Sequence, residues 1–150
     1  MSVSAVDPTA PRPTHGLVMR SLMAAAWFGL IFFILLPGTV LWSTGTTWLP
    51  PAGATRWTAT AVILGCHGLL VLQIRRFMVD GGGTHAPFHP PCRLLHDRAY
   101  ERVRNPMYLN YVTITLAEAL AYRSPALLLY ALIFWGLLHF YVVAIEEPSL

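Results

Sequence analysis

A chain of 150 residues that is 55% hydrophobic and only 11% charged, with a mean hydropathy of +0.54, is not an ordinary soluble domain, where about a quarter of residues carry charge. Its length suits one domain, and its apolar surplus calls for a bilayer. All ten basic residues are arginines, and they sit beside apolar runs, a pattern of orientation signals and lipid contacts rather than a nucleic-acid face.

Residues 1–20 hold Pro8, Pro11 and Pro13 and end in Arg20, which predicts a flexible tail. Ser21 is the expected cap of a first helix from Leu22 to Trp42, a run of the ~20 apolar residues that a crossing needs. The run is too long for a signal-peptide core. Pro37-Gly38 is expected to kink that helix or end it early. Trp42, Trp48 and Trp57 flank a short loop carrying Pro50-Pro51, as an aromatic belt at one interface would. The second span is expected from Trp57 to Ile74, stopped by Arg75-Arg76, with His67 in its middle. A histidine at that depth is read as hydrogen-bonded to a neighbouring helix.

Phe77 to Val103 is the one long polar stretch, with Gly81-Gly82-Gly83-Thr84, Pro87, Pro90 and Pro91. It cannot be a single helix, and loops of this length usually serve a function or lack order. Two motifs within it carry little. His85, His89, Cys92 and His96 have spacings that suit zinc, but prolines interrupt them, so no metal is expected. The glycines lack the full dinucleotide fingerprint and a preceding strand. Cys66 lies in an apolar run and Cys92 in the loop, so no disulfide is expected.

Asn105-Pro106 reads as a helix cap followed by proline at the first helical position. It opens a third span reaching Ala121 or Tyr122, short for a full crossing. Ser124-Pro125 repeats the same start and opens a fourth, from Ala126 to Ile145, which Pro148 closes. The expected fold is all-α: four transmembrane helices, residues 21–150, with a cytoplasmic loop between the second and third. With both termini cytoplasmic, eight arginines lie inside and only Arg56 and Arg123 outside, in keeping with the positive-inside rule.

The short turn at residues 123–124 makes spans three and four antiparallel neighbours. The start of the third and the end of the fourth therefore share one membrane face. A helix start attracts anions, and Arg104 adds a planar cation suited to a carboxylate or phosphate. Glu146-Glu147 end the fourth helix, where the dipole disfavours acids by roughly 0.3–1 kcal/mol each, so a cation should offset them. Positive and negative groups on one face suit a zwitterion. Arg104 and Glu146 are the candidates for catalysis. Trp135, His139 and Glu146, spaced by four and seven, share a helix face and are candidates for lining an acceptor pocket. Glu118, an acid three turns into the third span, is another. Its plainer role is a pair with His67 or a hydrogen bond near the outer interface.

Gly81 to Pro91, then Leu94-Leu95, Tyr100, Val103-Arg104-Asn105-Pro106-Met107-Tyr108, His139 and Glu146-Glu147-Pro148-Ser149-Leu150 together resemble the isoprenylcysteine carboxyl methyltransferase and phospholipid methyltransferase family. The resemblance covers roughly the second half of the chain. It implies an integral membrane enzyme, of bacterial inner-membrane type, using S-adenosylmethionine, with residues 81–150 as the cofactor-binding part and a lipid or other membrane-soluble acceptor. It implies cofactor contacts at Arg104, Asn105, Pro106 and Tyr108, at Arg93, Leu94, Leu95 and Tyr100 on another wall, and at Glu146 and Glu147. The sequence departs from the family in Arg98-Ala99-Tyr100, where Gly-x-Tyr is common, in Asn110, where Gly is common, and in lacking a basic, aromatic tail after Leu150. The alternatives are an NADPH-dependent membrane reductase of the sterol reductase type, which shares an Arg-His-Pro-x-Tyr-like motif, and a truncated, non-catalytic membrane protein.

Overall fold

The computed structural model describes residues 14–79 and 105–146, with Phe77, Ile145 and Glu146 described by their backbone alone. Every element among the described residues is helical. Helix α1 runs over His15–Ser43, α2 over Ala54–Val79, α3 over Pro106–Tyr122 and α4 over Pro125–Tyr141, the last extended by a π turn at Val142–Glu146. Three of these, α1, α2 and α4, are long and apolar enough to cross a membrane. The 17-residue α3 spans only about 25 Å at 1.5 Å per residue and is not one of them.

The first helix begins earlier than its apolar run. Thr14 is the cap, its side chain accepting from the Leu17 amide at 3.3 Å. Ser21 is therefore not a cap, but lies inside the helix and fully buried. Nor does Pro37 end this helix, which continues to Ser43. The chain absorbs the proline by widening: Ile31–Leu35 is π-helical, and the Leu36 amide reaches back five residues to the Ile31 carbonyl. In that register the donor for the Phe32 carbonyl would be Pro37, which has no N–H. The hydroxyl of Tyr130, on α4, supplies the missing donor at 2.6 Å. A proline defect in one helix is thus satisfied by a tyrosine of another, as apolar surroundings demand.

Helix α3 is the centre of the bundle, packed against α2 on one side and α4 on the other. Nine of its 17 residues are buried, including Ile114, Thr115 and three alanines, whereas only 17% of each spanning window of α1, α2 and α4 is buried. Neighbouring helices enclose α3, so it tolerates Asn110, Thr115 and Glu118 where a lipid-facing helix would not. Helix α2 offers it a narrow seam of Ala59, Cys66 and Leu70. Side-chain pairs set the directions. Asn110 binds Gln73 and Ala117 and Ala121 meet Ala59, so α2 and α3 are antiparallel. Phe28 stacks by Tyr111 and Leu41 meets Ala119, so α1 and α3 are parallel. Phe32 packs on Phe134 and Leu41 on Leu127, so α1 and α4 are antiparallel.

One end of the bundle, named here for Trp48, gathers the α1–α2 loop and the α3–α4 turn. Helix α1 stops in a paired-hydrogen-bond cap. Gly45, at φ 66°, donates to Trp42, and the Thr46 amide donates to Leu41. Helix α3 stops the same way, with Arg123 in the left-handed position at φ 51° and the Ser124 amide donating to Ala119. Ser124 then caps α4 by accepting from the Leu127 amide. One two-residue turn ends one helix and starts the next. The two loops are tied together: the Tyr122 hydroxyl donates to the Trp48 carbonyl at 2.7 Å, and Arg123 donates to Thr55 at 3.1 Å. The Trp48 ring lies over Gly38, where an added Cβ would come within 3.1 Å. Trp42, Trp48 and Trp57 all stand exposed at this end, as expected of an interfacial belt.

Candidate functional site

The opposite end collects the start of α1, the end of α2, the start of α3 and the end of α4. Helix α3 opens here as its sequence requires. Asn105 is extended (φ −141°, ψ 91°), the conformation that a following proline imposes. Its side chain accepts from the Tyr108 amide at 3.3 Å. Pro106 occupies the first turn, where its missing N–H costs nothing, and both Pro106 and Met107 are buried. The dipole of a buried helix start favours a negative group in front of it. Tyr108, half-buried, lies 6.0 Å from the Tyr111 ring, which in turn sits 4.6 Å from Phe28. This aromatic row leads from the helix start into the core.

One turn inside, Asn110 Nδ2 donates to Gln73 Oε1 at 3.0 Å. Asn110 is 8% exposed, and a polar pair buried between two helices fixes their register, because any slide leaves both amides unsatisfied. On α1, the Ser21 hydroxyl is fully enclosed and has no hydrogen-bond partner among the described residues. Helix α4, as long as α3, reaches the same end at Tyr141, and its π turn carries the backbone on to Glu146, one turn past the α3 start.

Among the expected site residues, Asn105, Pro106 and Tyr108 meet at this end. Arg93, Leu94, Leu95, Tyr100, Arg104 and Glu147 lie outside the described residues, as do His85, His89, Cys92 and His96. Trp135 and His139 do share a face of α4, but it is the exposed face, turned away from the seam of Leu127, Ala131 and Phe134. Glu118 lies one turn from the Trp48 end of α3, with Oε2 buried and without a hydrogen-bond partner. It does not pair with His67. That imidazole stands exposed, shares a 2.8 Å hydrogen bond between Nδ1 and the Ile63 carbonyl, and meets Phe33 edge-on. A histidine that closes on its own helix needs no partner from another.

Two features of this end were not foreseen from the sequence. The signal for the Asn110–Gln73 pair was available, since each is an amide in an otherwise apolar stretch of its helix. Ser21 gave no such signal, because a serine after an arginine at the edge of an apolar run reads as a cap.

The phospholipid methyltransferase family model matches residues 55–150, well over half of the chain. The match takes in α2, α3, the α3–α4 turn and α4, and leaves α1 outside it. In the same comparisons no curated protein and no solved structure matches. The matched stretch holds two of the three helices that are long and apolar enough to cross a membrane, together with the Asn-Pro start of α3. This chain belongs to the phospholipid methyltransferase family.

Proposed function

We propose that this chain transfers a methyl group from S-adenosylmethionine to a lipid or another membrane-soluble acceptor at the cytoplasmic edge of the bilayer. What supports the reading is the α3–α4 hairpin: two 17-residue helices bring the end of α4, with Glu146 one turn further on, to the same end of the bundle as the capped start of α3. A helix start faces a helix end there, so the partial positive charge of one lies beside the partial negative charge of the other. A zwitterion matches that pairing. The donor set at the helix start fits the cofactor's carboxylate, and family membership supplies the methyl-transfer chemistry.

When bound, S-adenosylmethionine supplies a methyl group activated by its sulfonium. The chain's own residues then have binding and positioning to do. Arg104 and the α3 start hold the carboxylate. Tyr108 would stack on the adenine or hydrogen-bond it, and Tyr100 and Arg93-Leu94-Leu95, outside the described residues, would supply the other wall as the family resemblance implies. Glu146 and Glu147 hold polar groups of the cofactor. Rate enhancement comes chiefly from holding the methyl group in line with the acceptor, which enters sideways from the lipid. In this reading α3 makes the fourth crossing, enclosed by its neighbours, and both termini are cytoplasmic, as the arginine bias implies.

Calorimetry of the detergent-solubilised protein tests the reading. Heat on adding S-adenosylmethionine supports it, and heat with NADPH alone refutes it. Glu146→Gln and Arg104→Ala should each weaken cofactor binding while membrane insertion is retained, and unchanged affinity removes that residue from the site. Membranes incubated with methyl-labelled cofactor then identify the acceptor by the species that takes up label.

A further inference from the structure

Ser21 is the most anomalous polar group at the Asn105 end. Its residue is 0% exposed, yet its Oγ has no hydrogen-bond partner among the described residues. A serine inside a helix ordinarily turns its hydroxyl back to a carbonyl three or four residues earlier, and Thr39 and Ser43 on the same helix both do so. Ser21 does not. A buried hydroxyl left unsatisfied costs about 1–3 kcal/mol in general, so such a group calls for a partner that the described residues do not supply.

The register of the bundle says where that partner would sit. Ser21 lies two turns before Phe28 on the same face of α1, and Phe28 stacks on Tyr111 of α3. Helices α1 and α3 run parallel, and two turns before Tyr111 the chain reaches the Asn105 cap. Against α4, Phe32 packs on Phe134. Three turns toward the Asn105 end from that pair lead to Ser21 on α1 and to the Val142–Glu146 turn on α4. Ser21 therefore sits about level with the α3 start, on the stripe of α1 that carries Phe28.

We propose that the Ser21 hydroxyl is a ligand-binding group of this site, donating a hydrogen bond to an oxyanion held in front of the α3 helix start. The helix start selects a negative group, and a hydroxyl beside it completes the shell as a donor. The oxyanion is a carboxylate or a phosphate: the carboxylate of S-adenosylmethionine or the phosphate of a phospholipid acceptor. The inference rests on the proposed function and extends it to a helix that the family match does not include.

The experiment measures binding of S-adenosylmethionine, and separately of a short-chain phosphatidic acid, to the full chain in detergent, with unfolding temperatures recorded without ligand. Ser21→Ala should bind one of the two about tenfold more weakly. Its unliganded unfolding temperature should stay level or rise, because an unsatisfied hydroxyl has been removed. Ser21→Thr, which keeps the hydroxyl, should restore affinity. The ligand that weakens identifies the oxyanion. Affinities of Ser21→Ala within about twofold of wild type for both ligands overturn the assignment while leaving the proposed function standing. A Ser21→Ala protein that unfolds earlier without ligand and weakens both ligands alike marks a packing role and also overturns it. Wild-type protein that binds neither ligand overturns the proposed function and this assignment together.

Discussion

The two ends of the bundle are built from the same helices and finished differently. At the Trp48 end, helix ends are closed by paired caps, loops are bonded to each other through Tyr122 and Arg123, and an indole covers Gly38. At the Asn105 end, α3 opens with a capped but forward-facing start, and a fully buried hydroxyl has nothing to bond. A membrane protein satisfies its polar groups wherever it can. The end that does so internally serves the fold, and the end that leaves a buried hydroxyl unpartnered among the described residues is the one for which we propose a ligand. Glu118 is the exception, since its buried Oε2 lies one turn inside the sealed end without a partner.

Substitutions can break this contrast or sharpen it. The largest effect belongs to the seam shared by both ends. Ile114→Ala empties a site with no exposure and should cost about 3 kcal/mol in detergent unfolding, with cofactor binding falling only as the fold loosens. Next comes the helix defect. Tyr130→Phe strands the Phe32 carbonyl and should cost about 1–2 kcal/mol, leaving cofactor affinity untouched. In a Pro37→Ala background, where the helix can supply its own donor, the same change should cost clearly less. Equal costs in both backgrounds would show that the hydroxyl does not serve the proline defect.

Asn105→Ala sharpens the comparison from the other side. Loss of the cap should cost about 1 kcal/mol, but cofactor affinity should fall by more than stability alone explains, because the helix start itself is displaced. Retained affinity would place the ligand elsewhere. The smallest effect is a difference between two variants. Arg123→Ala and Arg123→Gly both lose the bond to Thr55, but only glycine relieves the left-handed backbone at φ 51°. Arg123→Gly should therefore unfold later than Arg123→Ala, by about 1 kcal/mol, and the reverse order would mean that the turn is not strained.

The helix starts at Asn105-Pro106 and Ser124-Pro125 were legible because cap and proline chemistry is local: an extended residue, a side-chain acceptor and a missing N–H act within four positions. The antiparallel hairpin followed from the length of the turn alone. The apolar runs of α1, α2 and α4 were legible for the same reason, since hydropathy is a sum over neighbours. Whether Pro37-Gly38 would kink α1 or end it early was not local. It depended on whether something could replace the missing donor, and that something is a tyrosine 98 positions away.

Composition and local chemistry alone determined that this chain lives in a bilayer as a set of helices, and where α3 and α4 begin. Tertiary structure decided which polar residues end up paired across helices, as Asn110 and Gln73 are, and which are left waiting, as Ser21 is. The division has a physical cause. Helix formation satisfies the backbone within a few residues, whereas a side chain in an apolar medium finds its partner only when another helix, or a ligand, is brought alongside.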